Sequence, residues 1–323
     1  MWKVSALVWQ LDVAAGLALT LASSIAFGDS MEFLGSRLGL RSGLLGSVVT
    51  PILTSVPELV VILYALIAYH GSRGSEVAEG TVIGEPFLVS TLMLPLLVAF
   101  SLLRGRRGLS AEGELLMPLV VFVAIFPSVA APELLADSKA KYLAAALLMA
   151  TYVVFASVQG RAGEPLAEPF KLSFIGRAGI AWGFLQLSLS LAGLYVGAEV
   201  LVRGVVAASY HLGLSPFEVS VLLVPLATAV PESSVAFLWE LRGHDSLAVG
   251  ALIGEMVLYA TVYPAVGLLT APWRLGTHGI AAVAATELAC AAAAYEVWRG
   301  RISWVTMLLG LGGLAAYLAM IWA

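Results

Sequence analysis

Charge is what this chain has least of. Of 323 residues only 12% are Asp, Glu, Lys or Arg, whereas 60% are apolar. Soluble domains carry roughly twice that charged share, and 17 basic with 21 acidic side chains cannot cover a water-soluble surface of this size. The mean hydropathy of +0.95 gives the same answer, so the expectation is an integral membrane protein. A basic surplus is missing too: the net charge is −4, which leaves no electrostatic footprint for nucleic acid. One cysteine, Cys290, excludes an internal disulfide framework and any Cys-based metal site. It lies in an alanine-rich run and is expected to be a small core residue. The four histidines, His70, His211, His244 and His278, fall at the ends of apolar stretches. With no mid-span His and no Asp cluster, an intramembrane enzyme lacks its nucleophile–base pair or diphosphate site. Met1–Gln10 holds a single lysine and no small-residue cleavage site follows, so the first apolar stretch is expected to stay in place.

Long apolar runs, by contrast, are abundant. A membrane-spanning helix needs roughly 20 mostly apolar residues, and ten stretches qualify: 8–34, 44–69, 79–103, 115–133, 140–160, 176–208, 217–241, 246–270, 277–297 and 302–322. Alternating the loops between two sides gathers Arg37, Arg41, Arg104, Arg106, Arg107, Arg161, Lys171, Arg177, Arg242, Arg299 and Arg301 on one of them. The other side receives Lys3, Arg73, Lys139, Lys141 and Arg274. The excess of positive charge marks the first side as cytoplasmic, with both termini outside. Trp239, Trp273, Trp298, Trp304 and Trp322 lie near span ends and are expected to be interfacial anchors.

The chain also repeats itself. Leu38-Gly39-Leu40, Pro51, Thr54 and Pro57-Glu58 are answered by Leu212-Gly213-Leu214, Pro225, Thr228 and Pro231-Glu232. Further on, Ile83-Gly84-Glu85 is answered by Ile253-Gly254-Glu255. Five spans per half mean that the second copy enters the membrane from the opposite side. The fold expected is therefore all-α, about ten transmembrane helices arranged as two inverted five-helix repeats. Residues 1–160 form the first repeat, 161–175 a cytoplasmic linker and 176–323 the second repeat. Inverted repeats are typical of secondary transporters, whose site lies near the bilayer midplane where interrupted helices meet. Pro51, Pro57, Pro225 and Pro231 supply the interruptions expected in spans 2 and 7.

Four glutamates stand in this apolar background. Glu58 and Glu232 fall near the middle of spans 2 and 7, and Glu85 and Glu255 several residues inside spans 3 and 8, nearer a helix end. Each acidic residue at a helix centre costs roughly 2.5–3.5 kcal/mol on insertion scales. No basic residue stands at matching depth in these spans to neutralise them, so the counter-charge is a bound cation or protons. Carboxylate, hydroxyl and carbonyl oxygens suit a hard cation, Ca²⁺ above all. Glu58 and Glu232 would supply charge, and Thr54, Ser55 and Thr228 hydroxyls or carbonyls. Asp29, Glu32, Glu199 and Arg203, towards the ends of long spans 1 and 6, are expected to face water or pair with each other.

The Pro-Glu segments resemble the α-repeats of the calcium/cation antiporter superfamily, which includes the sodium/calcium exchangers. Its pattern G-T-S-x-P-E-L reads here Leu53-Thr54-Ser55-Val56-Pro57-Glu58-Leu59 and Ala227-Thr228-Ala229-Val230-Pro231-Glu232-Ser233. The resemblance implies cation exchange by alternating access. It makes Glu58 and Glu232 the central calcium ligands, with Thr54 and Thr228 adding backbone and hydroxyl oxygens and Ser55 helping a flanking monovalent site. Two departures stand out. Where the family has G-S-N this chain has Gly84-Glu85-Pro86 and Gly254-Glu255-Met256, and Ala229 replaces a serine. Oxygens expected at sodium sites are thus lost and two carboxylates gained. Four acids sharing one cavity would take up and release protons in coupled steps.

The expected function is a divalent-cation antiporter, Ca²⁺ first, exchanging against H⁺ rather than Na⁺. The alternatives are conventional Na⁺/Ca²⁺ exchange, a divalent-cation channel or sensor, and an intramembrane enzyme. No cofactor is expected, and the only partners are inorganic cations and the lipid bilayer, with no protein partner. The expected location is the plasma membrane of a prokaryote.

Overall fold

The computed structural model describes residues 5–37, 55–69, 71–135, 137, 139–162, 179–228, 230–254 and 256–323. These residues are helical almost throughout. Eight helical stretches are long and apolar enough to cross a membrane: Val8–Ser30, Gly71–Leu103, Gly113–Leu134, Ala140–Ser157, Ile180–Leu212, Asp245–Thr270, Gly276–Trp298 and Trp304–Ile321. The two remaining apolar segments, spans 2 and 7 of the sequence, include the shorter helices Val56–Ala68 and Pro216–Leu226. Most of the expected linker 161–175 lies outside the described residues.

Contacts divide the chain into two compact units, Met1–Ala78 with Ala156–Pro231 and Glu79–Phe155 with Glu232–Ala323. Each unit draws segments from both halves of the sequence.

The first unit is built on α1 (Ser5–Arg37) and α8 (Ile180–Leu212), two 33-residue helices packed along their length. They run antiparallel: Val13 meets Gly204, Gly16 meets Leu201, Thr20 meets Gly197, and Leu34 meets Gly183. The glycines make the close approach possible. A β-carbon at Gly16 would lie 2.6 Å from the Leu201 backbone, and one at Gly204 would lie 2.7 Å from the Val13 nitrogen. Without a hydrophobic drive between helices in lipid, such backbone contact supplies the packing energy. Against this pair lie α2 (Val56–Leu63), the π-turn Tyr64–Ala68 that continues it, and α9 (Pro216–Thr228). Tyr64 meets Tyr195 edge-on at 5.4 Å.

Helix α3 (Gly71–Leu88) begins in the first unit and runs on into the second. It starts well before residue 79, where hydropathy alone would begin the span. The polar run Gly71–Glu76 is still helical, with Arg73 lying 3.9 Å over the Tyr210 ring, because hydropathy marks the membrane-facing part of a helix rather than the helix.

The second unit contains the remaining long helices. A π-turn, Val89–Met93, joins α3 to α4 (Leu94–Leu103). Then come α5 (Leu116–Ile125), the short α6 (Ala131–Leu134) and α7 (Ala140–Ala162), whose last turns fall in the first unit. The unit continues with α10 (Val230–Leu241), α11 (Asp245–Ile253), α12 (Met256–Thr270), α13 (Gly276–Trp298) and α14 (Trp304–Ile321). Helix α13 packs on α14, α5 and the π-turn. Phe87 lies 4.8 Å from Tyr317 and Phe122 stacks on Phe126 at 4.7 Å. At one end β1 (Leu109–Ser110) pairs antiparallel with β2 (Arg301–Ile302), beside the turn between α10 and α11. At the other end Lys141 donates to the Ala271 carbonyl and Trp273 reaches Val129. The loops after spans 3, 7 and 9 thus share one end, as alternation of sides requires.

The tryptophans divide. Trp298, Trp304 and Trp322 are exposed, as anchors would be. Trp273 is not one of them: it is 3% exposed, its indole Nε1 donates to the Val129 carbonyl at 2.7 Å, and its backbone N–H donates to buried Glu79 at 2.7 Å. Position near a span end could not separate the two cases, because an indole satisfies its N–H equally well at the interface or on a buried carbonyl. Cys290 is buried, as expected of a core residue.

Candidate functional site

Three of the described expected site residues belong to the first unit. Helix α2 begins at Val56 and carries Pro57 in its first turn, where a missing N–H costs nothing and the fixed φ suits helix initiation. Glu58 is the third residue of α2 and is fully buried, as is Ser55 just before it. A carboxylate in a first turn is favoured by the positive end of the helix dipole, which offsets part of the burial cost. Thr228, the last described residue of α9, is fully buried and donates its hydroxyl to the Val224 carbonyl at 3.2 Å. Pro225 within α9 has no N–H to give the Val221 carbonyl. Helix α9 packs on α2. The unit thus holds a carboxylate, two hydroxyls and loosened backbone, the oxygen donors that hard cations take.

The second unit holds Glu85, which is 1% exposed. Glu85 does not sit near a helix end, where the apolar stretch 79–103 placed it. Because α3 starts at Gly71, Glu85 falls in the middle of the Gly71–Leu103 stretch. Pro86 follows it and cannot donate to the Val82 carbonyl. The π-turn comes next, with Ser90 donating to the Pro86 carbonyl at 2.7 Å and Thr91 to the Phe87 carbonyl at 2.5 Å. Single π-turns of this kind recur at functional positions.

Glu232 follows Pro231 in α10, as Glu58 follows Pro57 in α2. Its side chain, Thr54 and Glu255 lie outside the described residues. The backbone shows where Glu255 comes in sequence: α11 ends at Ile253 and α12 starts at Met256. Pro51, His70 and Ala229 also lie outside the described residues. No group of three or more His, Cys, Asp or Glu side chains that could hold a metal ion occurs among the described residues.

Hydropathy reading missed several buried acids, and the structure gives most of them partners. Glu240 is fully buried and receives Arg104 Nη1 at 2.8 Å and Arg106 Nη1 at 3.3 Å. Asp245 receives Arg106 Nη2 at 2.5 Å and the Ser110 N–H at 2.9 Å. The hydrogen bond from Arg106 to Asp245 is the main reason that its guanidinium is held above its ordinary value. Glu296 accepts from the Ser303 N–H at 2.8 Å and from the Thr306 hydroxyl at 2.6 Å. Arg203 lies 3.6 Å from Glu199 one turn away, as expected, whereas Asp29 accepts from Gln186 at 3.0 Å; the Glu32 side chain lies outside the described residues. Glu287, at the midpoint of α13, was overlooked although its place in span 277–297 is as central as that of Glu58 in its own span.

Comparison with known proteins agrees with this architecture. The chain is 24% identical to CaxA of Alkalimonas amylolytica over 268 residues, which covers 82% of each protein. The crystal structure of the H⁺/Ca²⁺ exchanger CAX superposes with a TM-score of 0.74 at 14% identity, covering 97% of this chain and 82% of that one. A structure of the sodium-calcium exchanger NCX_Mj superposes with a TM-score of 0.60 at 18% identity, covering 97% and 98%. At these identities the structural likeness speaks for the fold. The sequence itself matches the sodium/calcium exchanger protein family over residues 11–160 and 182–323. That match spans most of both halves, Pro-Glu segments included, and the chain belongs to the sodium/calcium exchanger protein family.

Proposed function

We propose that the protein is a secondary-active antiporter of divalent cations, Ca²⁺ first, working by alternating access between two inverted five-helix repeats. The observation that carries this reading is the matched placement of the two Pro-Glu pairs. Pro57-Glu58 and Pro231-Glu232 recur at the same place in the two halves of the sequence, and Glu58 is fully buried in the first turn of α2. The antiparallel run of α1 and α8, the first spans of the two halves, supports the inversion. Glu58 and Glu232 are the central ligands, with Thr54, Ser55 and Thr228 adding oxygens. Both termini face outward, and the location is the plasma membrane of a prokaryote.

The counter-ion is H⁺ in this proposal. The support is chemical: Glu85 and Glu255 take the places of serine hydroxyls, and Ala229 removes another, so oxygens suited to sodium give way to groups that carry protons. The fold does not favour either coupling, since it is shared with an H⁺/Ca²⁺ exchanger and with a sodium-calcium exchanger. Uptake of radioactive calcium into proteoliposomes tests the proposal under an imposed pH gradient and, separately, an imposed Na⁺ gradient. Uptake driven by the pH gradient alone is expected. Uptake driven by Na⁺ alone refutes proton coupling, and flux that neither saturates nor needs a counter-ion refutes antiport in favour of a channel. Glu58→Gln and Glu232→Gln are each expected to abolish uptake.

A further inference from the structure

Glu287 is an intramembrane carboxyl that the exchange motif does not use. It stands at the midpoint of the 23-residue helix α13 and is half-buried. Ala284, Leu288 and Ala291 on one side of it are exposed, whereas Val283, Thr286 and Cys290 on the other are buried. The carboxyl therefore sits on the edge between the lipid-facing and packed sides of the helix. Its Oε1 is buried and has no hydrogen-bond partner among the described residues.

Among the described residues, the elements packed most closely on α13 offer no counter-charge at this depth. Helix α14, α5, the π-turn Val89–Met93 and the helical turn Phe126–Ala130 all pack against α13, and none carries a basic or acidic residue. Their one titratable group is Tyr317 on α14. Glu114 and Arg301, on the short 113–115 turn and β2, belong to the loop end. On α13 itself, His278 and Glu296 mark the two ends, and Cys290 lies one turn on. An ionised Glu287 would thus be a bare charge in hydrocarbon, which bilayers oppose strongly. One polar path does lead away from this region. The Cys290 thiol is hydrogen-bonded to the Ser90 hydroxyl, and Ser90 donates to the carbonyl of Pro86, the residue after Glu85.

We propose that Glu287 is a proton-binding site inside the bilayer, separate from the motif carboxylates, whose proton takes part in the exchange cycle. This deepens the proton-exchange reading and rests on it for the second half of the claim only. Dicyclohexylcarbodiimide, an apolar reagent, tests the first half. It reacts with a protonated carboxyl in lipid: the acid proton passes to a carbodiimide nitrogen, the carboxylate oxygen bonds the central carbon, and the adduct rearranges to a stable acylurea.

The full-length protein in liposomes is treated across mildly acidic to mildly alkaline pH, and adducts are mapped by mass spectrometry. The expected result is an adduct on Glu287 at acidic pH that is lost as pH rises. It should be absent from Glu287→Gln and restored on residue 287 in Glu287→Asp. Failure to label Glu287 at any pH overturns the site. For the second half, the pH profile of calcium uptake is expected to be displaced in Glu287→Gln and restored in Glu287→Asp. An unchanged profile overturns the role in exchange. Labelling is read on the protein itself, so the site can stand where proton coupling fails: a protein that labels but is driven by sodium alone refutes the role in exchange and keeps the site.

Discussion

Replacing Arg106 by alanine removes one guanidinium that serves two acids. Its Nη1 lies 3.3 Å from Glu240 and its Nη2 bonds Asp245. The arginines look dispensable, since the Arg104 and Arg106 side chains are 39% and 34% exposed, but the Glu240 and Asp245 side chains are only 0% and 5% exposed. That asymmetry sets the magnitudes. In Arg106→Ala, Glu240 keeps Arg104 at 2.8 Å and Asp245 keeps the Ser110 N–H at 2.9 Å. The loss is thus of the order of one or two charge-assisted hydrogen bonds, about 2 kcal/mol after allowing for solvent screening on the exposed side. Arg104→Ala with Arg106→Ala strands Glu240 as a buried charge, which costs about 3–5 kcal/mol. Glu240→Gln removes the buried charge instead, leaving Arg104 able to turn to water and Arg106 on Asp245, at about 1 kcal/mol. Thermal unfolding of the purified proteins in one detergent should rank the double arginine variant lowest, then Arg106→Ala, then Glu240→Gln. A Glu240→Gln variant as unstable as the double arginine variant would refute the argument, because the acid would then not be the desolvated member. The pH dependence has a definite sign. A guanidinium held above its ordinary value contributes stability at every pH below that ordinary value, and loses it only far into alkali. Arg106 therefore stays charged throughout the working range.

Other outcomes can be checked on the same preparations. Gly204→Val puts a side chain where a β-carbon already meets the Val13 nitrogen at 2.7 Å, so α1 and α8 must separate, with a stability loss of about 1–3 kcal/mol visible in the same melting assay. Trp273→Phe leaves the buried Val129 carbonyl without its indole donor and should cost about 1–3 kcal/mol. Glu79→Gln, which keeps an oxygen acceptor for the Trp273 N–H, should cost less than Glu79→Ala. Glu85→Gln combined with Glu255→Gln should alter the pH dependence of calcium uptake; an unchanged dependence removes the reason to prefer protons over sodium.

Composition and patterning alone determined a good deal. A charged fraction of 12% and the long apolar runs decided an all-helical membrane protein, because only helices satisfy every backbone group within their own segment in lipid without closing a barrel. The duplicated Pro-Glu pairs marked the candidate site, since acids and helix breakers are too costly in hydrocarbon to recur there by accident of composition. The tertiary structure decided what each polar residue does. Pro57 takes a first-turn position in α2, and Glu85 is central instead of near a helix end, because helix limits follow backbone hydrogen bonds that hydropathy does not register. Trp273 is buried on Val129 and Glu79, while Trp298 and Trp304 are exposed at the same kind of sequence position. Arg104 and Arg106, indistinguishable in sequence from other loop cations, close on Glu240 and Asp245, about 135 residues further along the chain. Pairing at such separations depends on which helices lie side by side, and a pattern read along one chain does not contain that.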